Sequence, residues 1–381
     1  ATWCATNSSS CTKGTSATAA TRVRSGRGSV DCRRSENRPT LVGVAPTGPL
    51  RRLPTRLRRN AGSLLVDNFF RGLSRLGQLH PKARPERHDV EVIRDVAYDD
   101  SGLAEHRLDI YRPRGLARGE LDRVPVVLYV HGGGFRILSK DTHWVMGLAF
   151  ARRGYLVFNV SYRLAPRHRF PAAVQDVAAA LEWVRQNAAR YGGDLDRLAF
   201  AGESAGANLV TSLALMSSYR RTEPWAARVF DSGIRPKAVV AACGIYHVSD
   251  VQRFRRRWPH MSGFIHDRLS EVRESYLGDV QRHEPEQLEL ADPLVVLERG
   301  DVPQRPLPAF FAPCGTSDPL IDDTQRLARA LDEMGVECEA RYYQGELHAF
   351  HALVFTANAR RCWAHTYAFL DRHFGEGGGA V

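Results

Sequence analysis

The sequence predicts an α/β fold, a mostly parallel sheet covered on both faces by helices. Two observations carry that expectation. From about residue 124 to the C-terminus, apolar runs of strand length alternate with longer stretches of helical periodicity. Those runs are apolar throughout rather than at every second residue, as strands buried on both faces require. Length and composition agree: 381 residues, 43% hydrophobic and 25% charged, place the chain among globular proteins and outside the disordered and collagen-like classes.

Residues 1–60 contain one aromatic, Trp3, and no sustained apolar periodicity. Such a stretch cannot bury enough surface to offset its ordering entropy, so it reads as a disordered basic tail. Its Arg-rich, acid-poor composition fits a transit segment or a basic arm. Because the first methionine is Met146, it also fits a stretch translated from upstream of the true start.

Order is expected from about Gly62. Leu65, Phe69, Leu73 and Leu76 recur at helical spacing and read as a packing face, and the stretch Pro81 to Pro85 ends that helix. From Asp89 the pattern becomes alternating, and Val90, Val92 and Ile93 with Leu108, Ile110 and Tyr111 read as an antiparallel pair.

The alternation of strands and helices follows. Val126–Val130, Leu156–Val160, Leu198–Ala201, Ala238–Ala242, Ala309–Ala312 and Cys338–Tyr343 read as strands. Helices are expected over Trp144–Ala151, over Ala172–Ala189 with Pro171 at its start, and from Ser204 through Leu215. Two more are expected over Thr324–Met334 and Thr356–Phe374. Residues 248–290 interrupt the alternation with an Arg-rich helical insert, which would lie above the strand ends, where open α/β sheets bind ligands.

The net charge of +11 suggests an anionic partner, but Lys13 and eleven arginines against Asp31 and Glu36 put +10 of it in residues 1–60. The body is close to neutral. The segment Arg253 to His260 therefore reads as a solvated helix rather than a nucleic-acid patch, and no nucleic-acid partner is expected. The longest apolar runs, Val124–Val130 and Ala238–Ala242, are strand-sized, so no transmembrane segment is expected. Seven dispersed cysteines without a CxxC or Cys/His spacing point to a reducing, cytoplasmic compartment and to no metal or other cofactor. Cys314 reads as buried and unreactive.

The chemistry is concentrated in three places. Gly202, Ser204 and Gly206 form G-x-S-x-G between an expected strand and an expected helix, the setting that lifts a serine hydroxyl clear of a sheet. His131 to Phe135, HGGGF, follows a strand and reads as an oxyanion hole, with N–H groups of Gly132 and Gly133 joined by that of Ala205. A serine nucleophile needs a base, and the base needs an acid to fix its tautomer. His348, after the last strand, and Asp318, after the strand before it, are the candidates. His351 competes with His348, and Asp322 and Asp323 with Asp318, although those two aspartates suit the first turn of a helix. The order Ser204, Asp318, His348 is that of the α/β-hydrolases.

These motifs bring a resemblance into view. HGGGF, YRLAPRHRFPAA (Tyr162 to Ala173), GESAG, SDPL and HAF, in that order, make the body similar to the hormone-sensitive-lipase-like family of carboxylesterases. The resemblance implies an α/β-hydrolase catalytic domain over residues 86–247 and 291–381, with residues 61–85 and 248–290 forming a cap over the site. It also implies hydrolysis of short- to medium-chain carboxylic esters through an acyl-enzyme, a small-molecule ester as partner, and Arg163 and Asp176 as an ion pair. Glu203 stands where the family more often has Asp, and Ala349 where Gly is common. A homodimer is compatible with this reading. The alternatives are a ligand receptor on the same fold, which an intact Ser, His and Asp set argues against, and an amide hydrolase.

Overall fold

A computed structural model describes residues 67, 68 and 70–375. The expectations for residues 1–60, and those for Leu65 and Phe69, lie outside the described residues.

Helix α1 covers residues 70–79 and gives way to tight turns at Pro81–Ala83 and Pro85–His88, where proline ends it. Its packing differs from the sequence expectation. Leu73, Leu76 and Leu79 are 41%, 68% and 80% exposed, so the large residues face outward. The small side faces the body instead: Ser74 accepts a hydrogen bond from the Trp144 indole at 3.1 Å, and a Cβ on Gly77 would meet that ring at 3.3 Å. A bulky indole leaves room only for small neighbours, and this reverses the face.

Strands β1 (Val90–Ala97) and β2 (Arg107–Pro113) pair antiparallel, as the alternating pattern predicts. A short helix α2 (Arg114–Ala117) leads to β3 (Val124–Val130), then α3 (Trp144–Ala151), β4 (Leu156–Val160) and α4 (Ala172–Asn187). Next come β5 (Gly193–Glu203), α5 (Ala205–Ser218), α6 (Pro224–Asp231) and β6 (Ala238–Ala242). The interruption carries α7 (Gln252–Arg257) and α8 (Gly263–Tyr276). The chain closes with α9 (Pro293–Arg299), β7 (Ala309–Gly315), α10 (Ile321–Glu333), β8 (Cys338–Tyr343) and α11 (Ala357–Phe374).

The eight strands form one sheet in the order β1-β2-β4-β3-β5-β6-β7-β8. From β4 to β8 all neighbours are parallel, and β2 runs against both β1 and β4. Period-two side-chain geometry splits the core in two. Val126, Leu128 and Val130 of β3 join one apolar cluster with residues of α4 and α5, while Val127 and Tyr129 join a second with residues of α3 and α11. Every residue of β3, β4 and β6 is buried, which is why those runs carry no alternation.

Among the described residues no helix is long and apolar enough to cross a membrane. The parallel arrangement aims the ends of β3, β5, β6 and β7 toward one edge, where the loops holding the candidate site residues emerge.

Candidate active site

Ser204 sits at the junction of β5 and α5 with φ 54 and ψ −116, a conformation that disfavours any side chain. The turn that produces it depends on its glycines. A Cβ on Gly206 would lie 2.1 Å from the Val130 carbonyl oxygen, and one on Gly202 would lie 2.6 Å from the Gly206 carbonyl. The Ser204 N–H donates to the Ala242 carbonyl at 2.9 Å, which ties the turn to the end of β6.

The HGGGF loop continues β3. His131 is buried, stacked on Tyr162 with ring centroids 4.2 Å apart, and the Tyr162 hydroxyl donates to its carbonyl at 3.1 Å. Gly132 passes so close to the elbow that a Cβ there would meet the Glu203 carbonyl oxygen at 3.0 Å. Gly133 adopts φ 104, and a Cβ on it would lie 2.2 Å from the Ile137 carbonyl oxygen. The loop that carries the candidate oxyanion donors Gly132 and Gly133 is thus packed directly on the strand that presents Ser204, with Ala205 opening α5.

Asp318 and His348 are brought together. His348 Nδ1 lies 2.8 Å from Asp318 Oδ2, and the other carboxylate oxygen accepts the Leu320 N–H at 2.8 Å. Asp318 is buried on the loop after β7, whereas the His348 side chain remains 33% exposed. Burial works against charging the imidazole, but the Asp318 carboxylate outweighs it and holds the ring's proton well above the ordinary histidine range. Cys243, one residue beyond the Ser204 partner Ala242, completes the neighbourhood. Its Sγ lies within 4.8 Å of ligand atoms of both Asp318 and His348.

The sequence alternatives take other places. His351 Nε2 lies 2.9 Å from Glu203 Oε2, away from Asp318. Asp323 is fully buried, accepts the Tyr246 N–H at 2.8 Å and pairs with Arg253, so it fastens α7 to the body. Asp322 lies in the first turn of α10 and faces Arg257 at 3.9 Å. Arg163 and Asp176 form the expected pair, at 2.6 Å.

A scan against family models matches residues 127–352 to a family described as having the alpha/beta hydrolase fold. The chain belongs to the α/β-hydrolase family. A carboxylesterase NlhH of Mycobacterium tuberculosis is 42% identical over 147 residues, 38% of this chain and 44% of that relative, so less than half of its length is spanned. An acetyl esterase of Salmonella schwarzengrund is 31% identical over 229 residues, 59% of this chain and 65% of its own length. Among solved structures, esterase LipW of Mycobacterium marinum superposes with a TM-score of 0.64 at 27% identity, covering 86% of this chain and 97% of that one.

In this α/β-hydrolase one cluster escapes sequence reasoning. Glu203, buried directly before Ser204, meets His143 Nε2 at 2.8 Å and His351 Nε2 at 2.9 Å. Burial alone would raise the carboxyl, but His143 and His351 outweigh it and hold it far below the usual carboxylate range. The position of Glu203 beside the serine was visible in the sequence. His143 carries no local signal, since only the fold brings it across from the start of α3. Helix α8 of the insert packs on the HGGGF loop from above: Tyr276 stacks on Phe135 at 3.8 Å, and a Cβ on Gly134 would meet Val272 at 2.7 Å.

Proposed function

We propose that this chain is a serine carboxylesterase acting on short- to medium-chain carboxylic esters. The observation that carries the reading is the His348 to Asp318 contact of 2.8 Å, in a chain that also holds Ser204 at φ 54 on a strand-to-helix elbow. Ser204 Oγ attacks the ester carbonyl while His348, in its neutral form, takes its proton. Asp318 keeps the imidazole in the tautomer that accepts at Nε2 and stabilises the imidazolium that forms. The oxyanion is received by the N–H groups of Gly132, Gly133 and Ala205, helped by the positive end of α5. His348 then protonates the departing alcohol. Water repeats the sequence on the acyl-enzyme, leaving the carboxylic acid.

Residues 248–290 act as a cap in this reading. Support comes from α8, whose Val272 and Tyr276 rest on Gly134 and Phe135 of the candidate oxyanion loop. The contact of α1 with Trp144 at the start of α3 supports a place for that helix in the same assembly. The four cysteines among the described residues are free, and three of them are buried, which supports a reducing, cytoplasmic setting.

The decisive experiment is hydrolysis of p-nitrophenyl butyrate by wild type and Ser204→Ala. The variant should lose activity by about 10⁴-fold or more while keeping its far-UV circular dichroism and unfolding midpoint. A folded Ser204→Ala protein that retains most of its turnover would overturn the assignment.

A further inference from the structure

Cys243 has no part in the chemistry just described, yet its position is held at a cost. It is 1% exposed, and its backbone lies at φ 40, in the left-handed region that a residue with a Cβ adopts only when its surroundings impose it. The surroundings do so here. Its N–H donates to the Pro313 carbonyl at 2.9 Å, and Ala242 before it accepts from Ser204. The chain is fixed on both sides, and the sulfur reaches the His348 and Asp318 pair, with all three potential ligand atoms within 4.8 Å of one another.

Thiol, imidazole and carboxylate together form a donor set suited to a borderline-soft divalent cation such as Zn²⁺ and unsuited to Mg²⁺ or Ca²⁺, which want oxygen alone. We propose that Cys243, His348 and Asp318 form an inhibitory binding site for a thiophilic divalent cation, which switches the enzyme off by occupying its candidate base.

Charge and geometry both support the site. A cation of charge two facing one thiolate and one carboxylate gives a neutral cluster, the condition under which burial is tolerable. Tetrahedral zinc with bonds of about 2.0–2.3 Å places its ligand atoms about 3.3–3.7 Å apart, so small side-chain rotations close the present spacing. Asp318 is anchored by the Leu320 N–H, as ligating carboxylates usually are. His348 is the one partly exposed member, and its open side provides both an entry path and a fourth position for water. On binding, the Cys243 thiol and the His348 imidazolium each release a proton to solvent and coordinate as thiolate and neutral imidazole.

Loss of activity follows from the imidazole's single lone pair. With the metal on Nε2, the atom that would take the Ser204 proton is occupied. With the metal on Nδ1, the ring's remaining proton sits on Nε2, which then donates and cannot accept. Either way His348 ceases to be a base, and removing the metal restores it.

The inhibition arm rests on the esterase reading, whereas binding does not, so the two are measured separately. Full-length wild type, Ser204→Ala, Cys243→Ala and Cys243→Ser are titrated with Cd²⁺ and followed by thiolate-to-metal charge-transfer absorption. Hydrolysis of p-nitrophenyl butyrate is measured against Zn²⁺ with and without EDTA. Wild type and Ser204→Ala should each gain charge-transfer absorption equivalent to one Cd²⁺ that both Cys243 variants lack.

Zn²⁺ should suppress wild-type hydrolysis reversibly. Loss of an outer partner commonly weakens metal binding about 10–100-fold. Loss of a ligand should do at least as much, so a folded Cys243 variant should need about tenfold or more Zn²⁺ for the same inhibition. Equal Cd²⁺ absorption in wild type and either Cys243 variant, or equal Zn²⁺ sensitivity, would overturn the proposal. Hydrolysis by wild type without Cd²⁺ absorption would sink the metal site alone. Cd²⁺ absorption in a wild type that does not hydrolyse esters would sink the esterase reading alone.

Discussion

Glu203 carries its charge where water does not reach, and an unpaired carboxylate there would be far costlier than any hydrogen bond it could make. His143 and His351 hold its two oxygens, and Gly132 rests on its main-chain carbonyl. One residue therefore joins the start of α3, the loop bearing His348 and the candidate oxyanion loop. Glu203→Gln should lower stability by about 3 kcal/mol in urea unfolding, since it removes one partner of a buried pair. In the same variant kcat should fall with KM little changed, because the substitution disturbs placement of the loop and not substrate binding; unchanged kcat would show that Gly132 is positioned without it. This cluster also marks the limit of reading by residue. His348 and His351 are three apart in sequence and equally plausible as bases by type. What separates them is the backbone at Ala349, φ 57, which turns the chain so that one ring meets Asp318 and the other Glu203.

Elements were legible in proportion to their length and to the simplicity of their burial. Strands β3, β4, β6 and β8 occupy apolar or alternating runs close to those read from the sequence, because a fully or half-buried strand writes its burial into consecutive residues. Helices α6 and α9 were not anticipated. At eight and seven residues each spans about two turns, too few for a 3.6-residue period to stand out where, unlike in the wholly apolar α3, the residues are mixed. Periodicity reports that a stripe exists on α1 and not what it meets, so it points to the wrong face. Trp144 fills the space beside Gly77, and the leucines point outward. At this scale α8 offers the clearest test. Val272 contacts Gly134 at the candidate oxyanion loop, so truncating it enlarges the space beside that loop. Val272→Ala should shift kcat/KM across a p-nitrophenyl ester series toward longer acyl chains by about tenfold, the usual worth of one or two methylenes in an apolar pocket. An unchanged chain-length profile would remove α8 from the acyl pocket.

For the whole molecule the fold matters to acid tolerance, because it withdraws His131 fully and His247 partly from water as neutral rings. Burial pushes His131 down to about 3, with the nearby His143 adding to the effect. Burial, with Arg253 and Arg326, pushes His247 down to about 4. Both lie below the ordinary value of 6.5. In the unfolded chain these rings bind protons at pH values where the folded chain does not, so stability rises with pH in that interval. Their contribution is complete above pH 6.5 and is lost progressively as pH falls toward 3 for His131 and 4 for His247. The Glu203 carboxyl, held far below its ordinary 4.5, acts in the same direction at lower pH still. Urea unfolding midpoints should therefore drop steadily between about pH 7 and about pH 4. His131→Asn, which removes the titrating ring, should show a shallower decline over that interval even though losing the stack on Tyr162 lowers its midpoint at neutral pH. A variant whose midpoint falls as steeply as wild type would show that His131 is not among the groups setting the acid limit.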